Sequence, residues 1–396
     1  MEKNASDLIS LIRLVLIDED IKLDNPNYEA IFKIAKFHSL TNLLYYALMK
    51  YIEKNGSLNV DAKIIDALTK ANKLELSKSA TQECEMEILK EELEKRNIRY
   101  ALLKGSIIKY MYPSFDMRSM ADIDIYVDKE KAKDIKKMMI DLGYDVESYL
   151  KGNHDSYMKV PFMNVEMHRD LMNECYSYHL YYKDFFSKLH LKENKEYEYE
   201  FSHEDYYIYM IAHAAKHFSN GGMGIRNVID EYIYLNEYEN SLDFNYINEE
   251  LDKLELNRFE NNLKKLAKCW FGTEKVNEED LETIDLMGDF IIESGTYGTV
   301  SHNVLNQLMG ETTYKNIRAN KFKYLWSRAF PPYSVMVRRN PSLKKWKILL
   351  PWFYFTRLLK FIFKSNKNID AELATTKQAS DADIEKNKKV HEDVGA

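Results

Sequence analysis

Residues Asp122-Ile123-Asp124-Ile125-Tyr126-Val127 alternate carboxylate with apolar side chains before ending in an apolar run. A period of two marks a half-buried strand, because successive side chains leave opposite faces. Asp122 and Asp124 then share one face and Ile123 and Ile125 the other, which commits the chain to a sheet with one packed face and one anionic edge. Two carboxylates on one edge form a cradle for a hard cation; magnesium binds through one or two carboxylates and leaves room for substrate phosphates. An Asp-x-Asp triplet also occurs in solvated turns, so the flanking chain decides its meaning.

The flanks supply the missing parts. Arg99 to Leu103 reads as a short strand, Gly105-Ser106 as a step into a helix reaching Tyr112, and 112–116 as a turn rich in proline and small polar residues. After the triplet, Lys129 to Leu142 is amphipathic and stops at Gly143, followed by strand candidates at 144–150, 155–160 and 163–168. The last of these carries Glu166 and His168 two residues apart, so both leave one face. Residues 6–54 and 62–96 show helical spacing, and Ser202-His203-Glu204-Asp205 is similar to a capping box opening a helix through Phe218. Further helical patterns cover 225–234, 244–270 and 278–294.

The expected fold is therefore α+β: a small mixed β-sheet core with helices, flanked by N-terminal and C-terminal helical regions. The expected divisions are a helical region 1–96, a core 97–200, a helical domain 201–314, a basic aromatic segment 315–364 and a tail 365–396. The tail is polar, lacks aromatics and is sparse in large apolar side chains, so disorder is expected.

Charge is unevenly distributed along the chain. Of a net −7, residues 315–364 contribute +13 with no Asp or Glu and the tail −2, leaving −18 on residues 1–314. An acidic body disfavours a nucleic-acid groove, where phosphate neutralisation dominates binding. Three widely spaced cysteines (Cys84, Cys175, Cys269) provide neither a disulfide framework nor zinc spacing. The start MEKNASDLIS has no apolar signal core, and no run reaches the roughly 18 apolar residues of a spanning helix. A cytoplasmic protein is expected. In the basic segment Trp346, Trp352, Phe353 and Phe355 interleave with Lys344, Lys345, Lys347 and Arg357. That composition suits either peripheral contact of 340–364 with an anionic membrane at its inner face, or packing of the aromatic face on the acidic body.

Leu102-Leu103-Lys104-Gly105-Ser106, then Arg118-Ser119-Met120-Ala121-Asp122-Ile123-Asp124, resembles the bacterial uncharacterised nucleotidyltransferase family of the DNA polymerase β-like superfamily. Val165-Glu166-Met167-His168 looks like that family's third-carboxylate strand. His213-Ala214-Ala215-Lys216-His217-Phe218, followed by Gly221-Gly222 and Gly224-Ile225-Arg226, looks like its downstream helical motif.

The resemblance implies two Mg2+ ions and transfer of a nucleoside monophosphate from a nucleoside triphosphate to an acceptor, with release of pyrophosphate. It implies that Asp122, Asp124 and Glu166 hold the metals, that Glu166 takes the acceptor proton, and that Lys104, Gly105, Ser106 and Arg118 meet the phosphates. For Gly105 and Ser106 the physical reason is a helix start, whose free N–H groups favour anions. The 15 residues between Ser106 and Asp122 exceed the spacing usual in the superfamily.

Alternatives stay open at several positions. Ser106 also suits a simple helix cap. His213, Lys216 and His217 share one helix face and could meet phosphate or base, hold zinc, or be structural. Arg226 and Asp230, four apart, suit either substrate contact or a helix ion pair. His168 suits an acceptor-side or a packing role. The acceptor is expected to be a small molecule, a sugar or a cell-envelope intermediate. Competing functions are a non-catalytic nucleotide sensor, possible at a membrane, and a toxin-like transferase acting on tRNA or protein.

Overall fold

The computed structural model describes residues 1–56, 60–174, 176–310, 317–363 and 367–396. Helices α1 (Lys3–Ile17), α2 (Tyr28–Phe37), α3 (Thr41–Asn55) and α4 (Ala62–Lys95) form the N-terminal layer. Seven strands follow: β1 (Tyr100–Leu102), β2 (Ile123–Val127), β3 (Asp145–Ser148), β4 (His154–Lys159), β5 (Met163–His168), β6 (His190–Leu191) and β7 (Glu198–Glu200). The single turn α5 (Gly105–Ile108) lies between β1 and β2, and α6 (Ala132–Asp141) between β2 and β3. The chain then runs through α7 (His203–Asn220), α8 (Ile225–Tyr238), α9 (Phe244–Lys253), α10 (Asn257–Phe271), α11 (Leu281–Ser294) and α12 (Val300–Gly310). Beyond these lie α13 (Ile317–Ala329), α14 (Tyr333–Arg339), α15 (Leu350–Phe363), α16 (Lys367–Gln378) and α17 (Asp381–Val394). The α+β expectation holds.

The mixed sheet has the order β3-β4-β5-β2-β1-β7-β6, with β2–β5 and β1–β7 parallel and the remaining pairs antiparallel. Period-two alternation divides its faces. Ile123 and Ile125 of β2 and Val165 and Met167 of β5 pack into a core with Met86, Leu89 and Leu93 of α4 and Ile135, Met138 and Met139 of α6. The intervening positions, Asp124, Glu166 and His168, are left for the opposite face. A larger core joins α1, α3, α7, α8, α10 and α11. Ser202 caps α7 as expected, its Oγ accepting from Asp205 N at 3.0 Å.

Where the sequence predicts one helix from Ser106 to Tyr112, the structure has α5 followed by a 3-10 turn at Lys109–Met111 and another at Phe115–Met117. Buried polar groups fix this connection to the N-terminal layer. Asn42 Nδ2 donates to Asp116 O (2.7 Å) and Oδ2 (2.9 Å), and Tyr46 Oη donates to Oδ2 (2.8 Å). The long spacing ahead of Asp122 is thus an ordered strap.

The tail departs from expectation. Residues 365–366 lie outside the described residues, but α16 and α17 are formed, and Val390 and Val394 are buried in the larger core. Composition misleads because spacing decides: Ile384, Asn387, His391 and Val394 recur on one helical face. The polar members of that face are satisfied, with Asn387 Nδ2 2.5 Å and His391 Nε2 3.0 Å from Asn306 Oδ1 of α12.

Of the basic segment, 315–316 and 364 lie outside the described residues. Met336, Val337 and Leu343 form a small core with Phe353 and Tyr354, while Trp346 (58% exposed), Ile348 (83%), Trp352 (60%) and Phe355 (52%) face outward. Among the described residues no helix is long and apolar enough to cross a membrane.

The Val390→Ala/Val394→Ala double variant is expected to lose on the order of 1–3 kcal/mol of stability per site in urea denaturation, as buried methyl groups are deleted. A tail that did not dock would give no change.

Candidate functional site

Strands β2, β4 and β5 and helices α5, α7, α8 and α10 contribute to a cavity of about 340 Å³. Its floor is the polar face of the sheet. Parallel pairing sets Asp124 of β2 directly beside Glu166 of β5, and antiparallel pairing sets His154 of β4 opposite His168 of β5. Asp122 stands immediately before β2 and lines the same cavity. All three carboxylates expected from the sequence are brought together.

Asp124 anchors the floor. Lys104 Nζ donates to its Oδ1 at 2.7 Å, and His168 Nε2 lies 2.6 Å from the same oxygen. Burial alone would raise the Asp124 carboxyl, but Lys104 and His168 outweigh it and hold the group well below the usual carboxylate range. Asp122 moves the opposite way, raised by burial and by the charge of Asp124. Glu166 is lowered, because its hydrogen bond with His168 overcomes burial. The Lys104 ammonium is raised, since Asp124 outweighs the burial that would lower it. Lys104 itself adopts φ +49°, a strained backbone for a non-glycine residue, and Tyr206 Oη donates to its carbonyl at 2.8 Å.

The opposite wall comes from α7 and the start of α8: His213, Lys216, His217 and Arg226. His213 and His217 place their Nε2 atoms 3.2 Å apart, so one donates to the other. Burial pushes His217 down to about 3 and His213 well below the ordinary imidazole value, so both are neutral and the positive charge rests on Lys216 and Arg226. The zinc alternative for this pair finds no support. Among the described residues the one cluster of three potential metal-binding side chains is His154, Glu166 and His168.

Of the two alternatives open for Arg226 and Asp230, the helix ion pair does not form. Arg226 Nη1 donates to Ser119 O (2.9 Å), while its buried Nε–H has no partner among the described residues. Asp230 instead receives a fork from Arg118, Nε to Oδ1 at 2.8 Å and Nη2 to Oδ2 at 2.7 Å, and Tyr112 Oη donates to Oδ1 at 2.7 Å. Arg118 therefore borders the cavity with its fork already engaged, tying the strap to α8. Gly105 is needed for this approach, because a Cβ there would collide with Arg118 Nη1 and the Met120 side chain.

For Ser106 the expectation is corrected. Its N–H donates to Leu103 O (3.1 Å), α5 is only one turn long, and its buried hydroxyl has no partner among the described residues and lines a neighbouring cavity instead. The Ser106 N–H expected to be free at this helix start is therefore already engaged.

The sequence reading missed His154 and Tyr209. His154 falls one residue before the strand expected at 155–160, and only the register with His168 reveals it. Tyr209 lines the cavity with a buried hydroxyl that has no partner among the described residues; one tyrosine among 29 carries no distinguishing signal.

A mixed sheet with carboxylates on adjacent strands facing a cationic wall is an arrangement suited to phosphate chemistry. Residues 24–272 match the family model described as uncharacterised nucleotidyltransferase, and the chain belongs to that family. A nucleoside triphosphate substrate follows from the family's reaction class. Comparison with curated proteins and with solved structures finds no match.

Neutralising one partner of the Arg118–Asp230 pair strands a buried charge, so Asp230→Leu and Arg118→Met are each expected to cost about 3–5 kcal/mol. The double variant should lose clearly less than the sum, measured by equilibrium denaturation of the four-member cycle.

Proposed function

We propose that the protein transfers a nucleoside monophosphate from a nucleoside triphosphate to an acceptor hydroxyl or phosphate, with a small molecule, sugar or cell-envelope intermediate as acceptor. The observation that carries this reading is the convergence of Asp122, Asp124 and Glu166 on one cavity whose far wall bears Lys216 and Arg226. The donor set fits a hard dication. Asp122 has no hydrogen-bond or ion-pair partner among the described residues, and its carboxyl is raised by burial and then by the neighbouring Asp124, a repulsion that a cation would relieve. Asp122, Asp124 and Glu166 would hold Mg2+, which when bound neutralises the triphosphate and stabilises charge on the attacking and leaving oxygens.

In this reading Lys216 and Arg226 grip the triphosphate across the cavity. Lys104 and His168 fix the Asp124 carboxylate in position. The acceptor oxygen bonds to the α-phosphorus as the bond from that phosphorus to the bridging oxygen breaks, and the electron pair leaves with pyrophosphate. The acceptor proton passes to Glu166, whose lowered carboxyl starts ionised.

With Mg2+, each nucleoside triphosphate in turn and a bacterial metabolite extract as acceptor, wild-type protein is expected to release pyrophosphate. Asp122→Asn should lower the rate on the order of 10³-fold or more while the melting temperature stays level or rises, since a repulsion is removed. Triphosphate binding with no release over a broad acceptor panel would favour the sensor reading. Release only with tRNA or protein as acceptor would favour the toxin-like one.

One observation supports an acceptor side next to the basic segment. Asn153 lines both the carboxylate cavity and an adjoining one that is bounded by Val337 and Lys344 of the basic segment. Beyond Lys344 lie the outward-facing Trp346, Ile348, Trp352 and Phe355 among exposed Lys345 and Lys347. The proposed occupant of this face is an anionic lipid surface, to which each nearby basic residue contributes about 1 kcal/mol. Wild type should float with vesicles containing anionic phospholipid and not with neutral ones, and Trp346→Ser/Trp352→Ser should abolish flotation. Equal flotation of both proteins would overturn the assignment.

A further inference from the structure

We infer that His154, Glu166 and His168 form a mixed nitrogen–oxygen site for a borderline transition-metal dication, Zn2+ or Co2+ in chemical class, distinct in preference from the all-oxygen pair Asp122 and Asp124. This deepens the transfer reading by naming the metal taken at its Glu166 side, and it shares that reading's cavity.

The geometry is set by the sheet. His154 and His168 are directly paired across β4 and β5, Glu166 stands two residues before His168 on the same strand face, and the imidazole centroids are 5.1 Å apart. Glu166 bridges the rings: Oε1 lies 3.5 Å from His154 Nε2 and Oε2 lies 3.5 Å from His168 Nε2. One potential ligand atom from each of the three residues falls within 4.8 Å of the other two. Ligand atoms about 2.0–2.2 Å from one ion lie about 3–3.6 Å from each other, so the two 3.5 Å nitrogen–carboxylate contacts fall in that range and the three groups, all within 4.8 Å, would draw together around a bound ion.

One further observation bears on the site. His168 Nε2 is 2.6 Å from Asp124 Oδ1, so the nitrogen that would take the metal carries a hydrogen in the metal-free protein, which binding of the ion displaces.

Donor chemistry then selects the ion. Oxygen-only ligands suit Mg2+, whereas imidazole favours zinc and its neighbours, and affinity at nitrogen-containing sites rises along the divalent series towards them. A pair of carboxylates completed by phosphate oxygens and a separate site with two imidazoles therefore have different preferences within one cavity.

The test uses Co2+ and the full chain without nucleotide. Wild type should bind one Co2+ with visible d–d bands shifted from those of the aqueous ion, and a tenfold excess of Mg2+ should leave them in place. His154→Ala, checked for an unchanged circular dichroism spectrum, should weaken binding at least tenfold by titration calorimetry, and His168→Ala likewise. His190→Ala, an exposed histidine on β6, should change nothing. Displacement of Co2+ by equimolar Mg2+, unaltered affinity in His154→Ala, or loss of binding in His190→Ala would each overturn the inference. Because binding is read without turnover, a failure of nucleotidyl transfer and a failure of this site are separately visible.

Discussion

The parallel pairing of β2 with β5 is the constraint on which the site depends. It places Asp124 beside Glu166 in register, and a slip of one residue would send every one of these carboxylates into the apolar layer under α4 and α6. Register is secured from below by Ile123, Ile125, Val165 and Met167, so the burial that stabilises the sheet also fixes the spacing of its anionic face. Core and chemistry use alternate residues of the same strands.

Electrostatics complete the arrangement. The Asp124 carboxylate is held by Lys104 and His168, and Asp122 beside it has no such partner. The two aspartates are therefore unequal, one locked in position and one exposed to repulsion. The strap between α5 and β2 carries its own buried ion pair, Arg118 with Asp230, and thereby joins the sheet to the helix whose first turn holds Arg226. The floor and the far wall of the cavity are registered to each other through that pair.

Much of this was legible in the sequence because short-range periodicity reports directly on strand faces. Asp122, Asp124 and Glu166 stood out by alternation with apolar neighbours, and Ser202 by its capping pattern. What depended on long-range register was hidden: His154 acquires meaning only when β4 is laid against β5. The choice left open for Arg226 and Asp230 was likewise decided at long range, since Asp230 pairs with Arg118 more than a hundred residues away and not with Arg226 on its own helix. For Ser106 the helix proved too short, and its N–H was already taken by Leu103. Bulk composition misjudged the tail, where Ile384, Val390 and Val394 share one buried face of α17.

The central claim is that the face bearing Asp122, Asp124 and Glu166 binds a metal-complexed triphosphate opposite Lys216 and Arg226. A crystal structure with a non-hydrolysable nucleoside triphosphate analogue and Mn2+ as an anomalous stand-in for Mg2+ tests it most directly. The account predicts anomalous density within coordination distance of Asp122 and Asp124, with the phosphates reaching towards Lys216 and Arg226. Triphosphate bound elsewhere, or a cavity without metal in which Lys104 and His168 alone contact Asp124, would contradict it.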